Sequence, residues 1–283
     1  MRTTKLRFRF ELTPLAKIEP WGDDKPNLHW FGLTDGLFWI EAGDTELFRY
    51  TDAINAHWAK QYPQTSKGYY ERYPIASYHD DLLSLLEVAP IPYSPDFSEA
   101  FFSAKRSRTL QSAAVKSVEP IVSENQHDIG KHSPKWWAQR RWSASHLLHP
   151  PNVWLWREAD SMRLYWDNRA VTTDNIPVWT AKHGELSFTV NDFVDAVRAF
   201  DGAFIRAMDE RVQTVLDGGL SPHIHVDLAG LRWMHDNTAK SLDRRLWEAQ
   251  DQIDFHTALV KVQTALRERG RTAAWVSDAS EVL

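Results

Sequence analysis

Cysteine is absent from the 283 residues, and that one absence removes disulfides, thiolate zinc sites, iron–sulfur ligation and a cysteine nucleophile. Long apolar runs are absent too: no window approaches the roughly eighteen consecutive apolar residues that a membrane-spanning helix needs. The N-terminal stretch MRTTKLRFRFELTP alternates charge with apolar side chains where a signal peptide has a continuous apolar core. Neither secretion nor a membrane partner is indicated, and a cytoplasmic protein is expected. Glycine is scarce, with 12 residues, and neither a Gly-x-Ser-x-Gly elbow nor a Gly-x-x-x-x-Gly-Lys phosphate loop occurs. Excess charge of one sign is also missing. The 33 Lys and Arg are interspersed with 38 Asp and Glu, for a net charge of −5, so the chain exerts no long-range pull on nucleic acid.

What is present is a globular composition, 43% hydrophobic and 25% charged, able to bury a sizeable core. In the first strand, Leu6, Phe8, Phe10 and Leu12 fall on one face and Arg7, Arg9 and Glu11 on the other, until Pro14 ends the alternation. Residues 37 to 50, LFWIEAGDTELFRY, read as two strands around an Ala-Gly-Asp-Thr turn, and 153 to 168, VWLWREADSMRLYWDN, as a second hairpin. Residues 77 to 90 predict a helix stopped by Pro90, with Asp80-Asp81 near its N-terminus. The polar stretch 103 to 133 predicts a linker or excursion.

The C-terminal third reads as helical. From an N-cap at Asn191, Phe193, Val197, Phe200, Phe204, Met208, Val212 and Val215 recur at spacings of three and four, and Gly218-Gly219 supplies a stop. A later helix is expected over 252 to 269, with Ile253, Leu259, Val262 and Leu266 inward. The fold class is therefore α+β, antiparallel hairpins packed against C-terminal amphipathic helices. One domain is expected over 1 to 283, with a β-rich part to residue 90, a loop-rich excursion over 91 to 133 and an α+β part from 134.

The stretches LHWFGLTDG (28 to 36), PPNVWLWREAD (150 to 160) and YWDN (165 to 168) together resemble an uncharacterised bacterial family known only as a domain of unknown function. The similarity extends over most of the chain and is weakest at 103 to 133. These are sheet and turn motifs, so the resemblance implies a bacterial origin and a shared fold, and it carries over no catalytic residue.

One stretch raises metal chemistry. In LSPHIHVDLAGLRWMHD, residues 220 to 236, a strand over 222 to 227 would point His223, His225 and Asp227 the same way, toward one divalent ion. A helix starting at Leu228 would place Leu231, His235, Ala239, Leu242 and Leu246 in one apolar stripe. His235 then reads either as a fourth ligand or as a core histidine, and Asp227 as a ligand or a helix cap. The zincin spacing is absent and no glutamate stands nearby as a general base. No metal and no cofactor is the preferred expectation.

Tryptophan is abundant, with 14 residues. Trp154 and Trp156 share a strand face, and Trp166 lies on the partner strand. Large rigid rings are also enriched where proteins bind one another. In SPKWWAQRRW, residues 133 to 142, a helix capped by Ser133 would group Trp136, Trp137, Arg140 and Arg141 in one sector, each arginine four positions after a tryptophan and able to stack on it. These four are the candidate partner-binding residues. The expected function is a non-enzymatic cytosolic binding protein for a protein partner, in the manner of toxin-neutralising immunity proteins. The alternative is a metal-dependent hydrolase centred on His223, His225 and Asp227, with His235.

Overall fold

The computed structural model describes residues 6–22, 24–63, 68–91 and 139–268, with side chains described to residue 254. The excursion expected over 103 to 133, the helix start at Ser133, and Trp136 and Trp137 lie outside the described residues.

Two antiparallel sheets and a set of helices share the chain, as the α+β reading requires. In the first sheet, β2 (Asp35–Ala42) is central. It pairs along its length with β1 (Leu6–Leu12), and on its other edge with β3 (Thr45–Leu47) near one end and β4 (Arg72–Pro74) near the other. The expected 37 to 50 hairpin is present, its turn made by Gly43 at φ 61°. The second sheet runs β5 (Val153–Glu158), β6 (Ser161–Asp167), β9 (His183–Thr189). Its first two strands are the expected hairpin, and the third was not anticipated. Between β6 and β9, a small ribbon of β7 (Thr172–Thr173) and β8 (Ile176–Pro177) turns through Asp174 and Asn175, both at positive φ, the backbone a tight primed hairpin turn needs.

The helices are α1 (Trp30–Leu33), α2 (Asp52–Gln61), α3 (Ile75–Val88), α4 (Val190–Leu216), α5 (Leu228–Ala239) and α6 (Ser241–Glu268). The apolar stripe expected on α4 is buried throughout, from Phe193 to Val215. Its cap is Thr189 instead of Asn191. The Thr189 hydroxyl accepts from Asp192 N at 3.0 Å, and the Asp192 carboxylate accepts from Thr189 N at 2.9 Å, a reciprocal pair that satisfies two free amides where Asn191 could satisfy one. The helix expected from 252 begins earlier, at Ser241. It takes in Leu242 and Leu246, which the sequence pattern assigned to α5. Just before the break at Lys240, Asn237 and Thr238 turn their side chains back onto Trp233 O and Met234 O, both at 2.9 Å, bonds of a kind that weaken and often bend a helix.

One core cluster joins both sheets to α4. Phe200 meets Phe8, Phe10 and Phe38 edge-on, at centroid distances of 6.2, 5.6 and 5.8 Å, the arrangement that aligns ring edges with π faces. The second sheet contributes Leu155, Leu164, Trp166 and Phe188. Pairing of Trp154 with Tyr165 and of Val153 with Trp166 puts Trp166 on the face opposite Trp154. Arg211 on α4 donates to Leu33 O at 2.6 Å and Thr13 O at 2.7 Å, tying the ends of α1 and β1 to the long helix.

Asp80 and Asp81 sit in the second turn of α3, not at its start, since the helix begins directly after Pro74. Asp81 consequently turns inward and accepts from Ala144 N at 2.8 Å. Burial raises its carboxyl to about 6, against the opposing pull of that hydrogen bond. The folded chain thus holds the proton more tightly than the unfolded chain, so this group's contribution to stability is complete below the unfolded value and is lost as pH rises through about 6. Asp81→Asn keeps an acceptor for Ala144 and never carries the charge. Its melting temperature relative to the parent is expected to climb from no difference at low pH to a gain of a few degrees above neutrality, ~1 kcal/mol after allowance for partial exposure. Nearby His146 is pushed down to about 4 by burial and works in the opposite sense, its contribution present above the unfolded value and lost as pH falls through about 4; it cancels in the variant-minus-parent difference. A difference that stays flat across the pH range would refute the assignment.

Candidate functional site

Residues 221 to 227 form no strand. Pro222 and His223 lie in a turn and His225 makes an isolated bridge to Asn27. The bridge uses backbone only, His225 N to Pro26 O at 2.8 Å and Leu28 N to His225 O at 3.0 Å. Without a strand, the alternation that would have aligned His223, His225 and Asp227 does not exist. Asp227 is the N-cap of α5, accepting from Ala229 N at 3.1 Å and Gly230 N at 3.0 Å. Gly230 permits the cap, because a Cβ there would stand 2.5 Å from Asp227 Oδ2.

His235 faces the interior from α5. The Trp30 indole donates to its Nδ1 at 3.3 Å. An indole nitrogen can only donate, so the proton of this imidazole is on Nε2, which donates to Asp209 Oδ1 at 2.7 Å. Both ring nitrogens are engaged in joining α1, α5 and α4. Among the described residues no group of three or more His, Asp and Glu could hold a metal ion.

Of the expected partner-binding residues, Arg140 is 3% exposed and lies in a turn, and Arg141 follows as a bridge residue paired with Trp154. Arg141 Nη2 donates to Asn152 Oδ1 at 2.7 Å, and its guanidinium stands 5.8 Å from the centre of the Trp154 ring. Extended backbone here reflects hydrogen bonds to β5, Trp142 N to Val153 O at 2.8 Å and Leu155 N to Arg140 O at 2.9 Å. The helical sector expected from residue 136 therefore does not run through Arg141.

Surface character is concentrated elsewhere. Eight large apolar side chains are exposed among the described residues, and four of them fall on α5 and α6: Leu228 (46%), Trp233 (65%), Met234 (40%) and Trp247 (71%). Leu231 and His235 make the buried side of α5; Ala239, assigned to that stripe from the sequence, is exposed. Beside this buried side runs an open groove of about 530 Å³, lined by Leu216 at the end of α4 and by Leu228, Ala229, Arg232, Trp233 and Asp236. At about 100° per residue, Trp233 lies roughly opposite the buried stripe. A large aromatic so far off the stripe was the signal in the sequence that this helix has a second face.

Fold and groove together define an α+β protein that, among the described residues, exposes large apolar side chains on a helical face. The chain belongs to DUF5984, a family of unknown function whose model matches residues 7–260. No curated protein and no solved structure matches it. The stretches that carried the resemblance are structural latches. Trp30 of LHWFGLTDG anchors His235; Asn168 of YWDN accepts from Asn152 N at 2.7 Å and donates to Ala181 O at 2.9 Å, locking the second sheet at its open end. No helix among the described residues is long and apolar enough to cross a membrane.

Proposed function

We propose that this is a non-enzymatic cytosolic bacterial protein that acts by binding another protein through α5 and α6. The observation that carries the reading is the exposure of Trp233 and Trp247, at 65% and 71%, within two adjacent helices. Tryptophan exposed to that degree leaves a large apolar area in water, and burying it against a partner is favourable by roughly 25 cal/mol per Å². Tryptophan is also among the residues that dominate binding energy at interfaces. Arg232 and Asp236 line the same groove between Leu228 and Trp233, adding charges of both signs that can fix a partner's register. The alternative, a metal-dependent hydrolase centred on His223, His225 and Asp227 with His235, is less favoured, because Asp227 already caps α5 and His235 already bonds Trp30 and Asp209.

A photo-crosslinking amino acid placed at position 233 or 247 in the full chain, expressed in its native cells, tests the reading. Discrete protein adducts are expected at both positions. Leu148, exposed at 81% but far along the chain from these helices, serves as the control position. Adduct yields at 233 and 247 no greater than at 148 would overturn the proposal.

A further inference from the structure

We propose that the protein seated against α5 is a second copy of this chain, its own α5 lying antiparallel across a two-fold axis. The inference deepens the binding reading above and rests on it.

The argument is the order of residues along the exposed face. Ala229, Arg232, Asp236 and Ala239 are all exposed and recur at spacings of three, four and three, the spacing of a helix–helix seam. At about 100° per residue they span a sector roughly 80° wide, with Leu228 and Trp233 flanking it. Read in either direction the seam is small, charged, charged, small, with the charges of opposite sign. A two-fold interface requires that if residue i meets residue j of the second copy, j meets i. With the axis midway between Arg232 and Asp236, each arginine meets the other copy's aspartate, twice over, and each Ala229 meets an Ala239. The alanines at both ends allow the two backbones to approach closely.

The charges are free for this role. Neither Arg232 nor Asp236 makes an ion pair or side-chain hydrogen bond within the described residues, although four residues apart on one helix. Arginine preceding the acid is the weaker order for a pair within a helix, so the arrangement is better satisfied between copies than inside one. The flanking Trp233 and Leu228 then cover the seam from both sides and exclude water from the two ion pairs, which strengthens them.

Sedimentation equilibrium of the full chain is the test. The parent is expected to be a monomer–dimer system. Arg232→Asp alone and Asp236→Arg alone each place like charges at both symmetric contacts, and each is expected to weaken dimerisation by about tenfold or more. The double swap restores opposite charges at both contacts and is expected to return the dissociation constant to within a few-fold of the parent. Circular dichroism confirms that the variants fold, and Trp233→Ala, a change at a solvent-facing side chain, must also weaken the dimer. A parent that is monomeric at every concentration, or a double swap as weak as the single changes combined, overturns the proposal. The crosslinking experiment separates the two readings. Adducts at twice the mass of the chain support both, adducts with a different protein from a monomeric chain retain the binding reading and sink the dimer, and no adducts sink both.

Discussion

Gly36→Ala is expected to destabilise the chain by about 3 kcal/mol or more, at the upper end of what overpacking costs. Gly36 lies in the central strand β2, paired with Leu12 of β1 on one side and Tyr73 of β4 on the other. A Cβ at this position would stand 2.5 Å from the carbonyl oxygen of Glu11 and 3.1 Å from Leu12 Cα and from Ile75 Cγ1. The first two are backbone atoms held in the β1–β2 ladder, so no side-chain rotation relieves them, and the paired strands must move apart to make room. The melting temperature should fall by roughly 6–12 °C at the usual 2–4 °C per kcal/mol for a chain of this size. Gly43→Ala in the same strand's turn meets only Leu186 Cδ1, at 3.9 Å, and should suffer mainly from its positive φ, a smaller cost. Equal losses for the two variants, or a loss of under two degrees at Gly36, would show that β1 and β2 give way freely.

Asp201→Ala should cost a similar amount through different physics. His79 on α3 and Asp201 on α4 meet at 2.8 Å in the core, with side-chain exposures of 4% and 11%. The imidazole also packs against Phe204 at a centroid distance of 5.2 Å. Removing the carboxylate leaves a buried ring nitrogen without its partner, a loss of about 3–5 kcal/mol when one member of a buried pair is deleted. Asp201→Asn retains an oxygen at the same reach and should lose about 1 kcal/mol, since one hydrogen bond is weakened but none is left unmade. Denaturant unfolding of both variants separates the outcomes. If alanine and asparagine cost the same, the hydrogen bond contributes nothing and the cost lies in packing alone.

These two sites differ in how far they could be foreseen. β2 was readable because an aromatic-rich stretch from Leu37 runs into a turn, yet nothing in Gly36 marks it as a place where a Cβ would meet β1 backbone, which depends on where β1 lies. For Asp201 and His79 there was no signal at all, because the partners are 122 residues apart and each alone reads as an ordinary polar residue of an amphipathic helix. The expected patch at Trp136, Trp137, Arg140 and Arg141 shows the converse. A local helical projection grouped the four, but the chain at Arg141 is extended by its bridge to Trp154, and a projection cannot anticipate a strand partner further along the chain.

The sequence by itself determined the exclusions and the faces. Absent cysteine and absent apolar runs remove whole chemistries regardless of fold, and period-two and period-3.6 patterns state which side of an element avoids water, as β1 and α4 bear out, whereas β5 is buried on both faces from Val153 to Trp156. It also contained the strong helix stop at Gly218, whose φ of +82° needs no side chain. Only the tertiary structure decided what covers each face. Arg211 reaches carbonyls 178 and 198 residues away, His235 spends its two nitrogens on Trp30 and Asp209, and Asp81 turns inward to an amide of a distant turn. It decided, too, that Arg232, Trp233 and Asp236 of α5 face away from the core among the described residues. A periodic pattern records the need for burial locally, whereas the partner that meets that need is chosen by long-range packing, in which every element competes for the same limited interior.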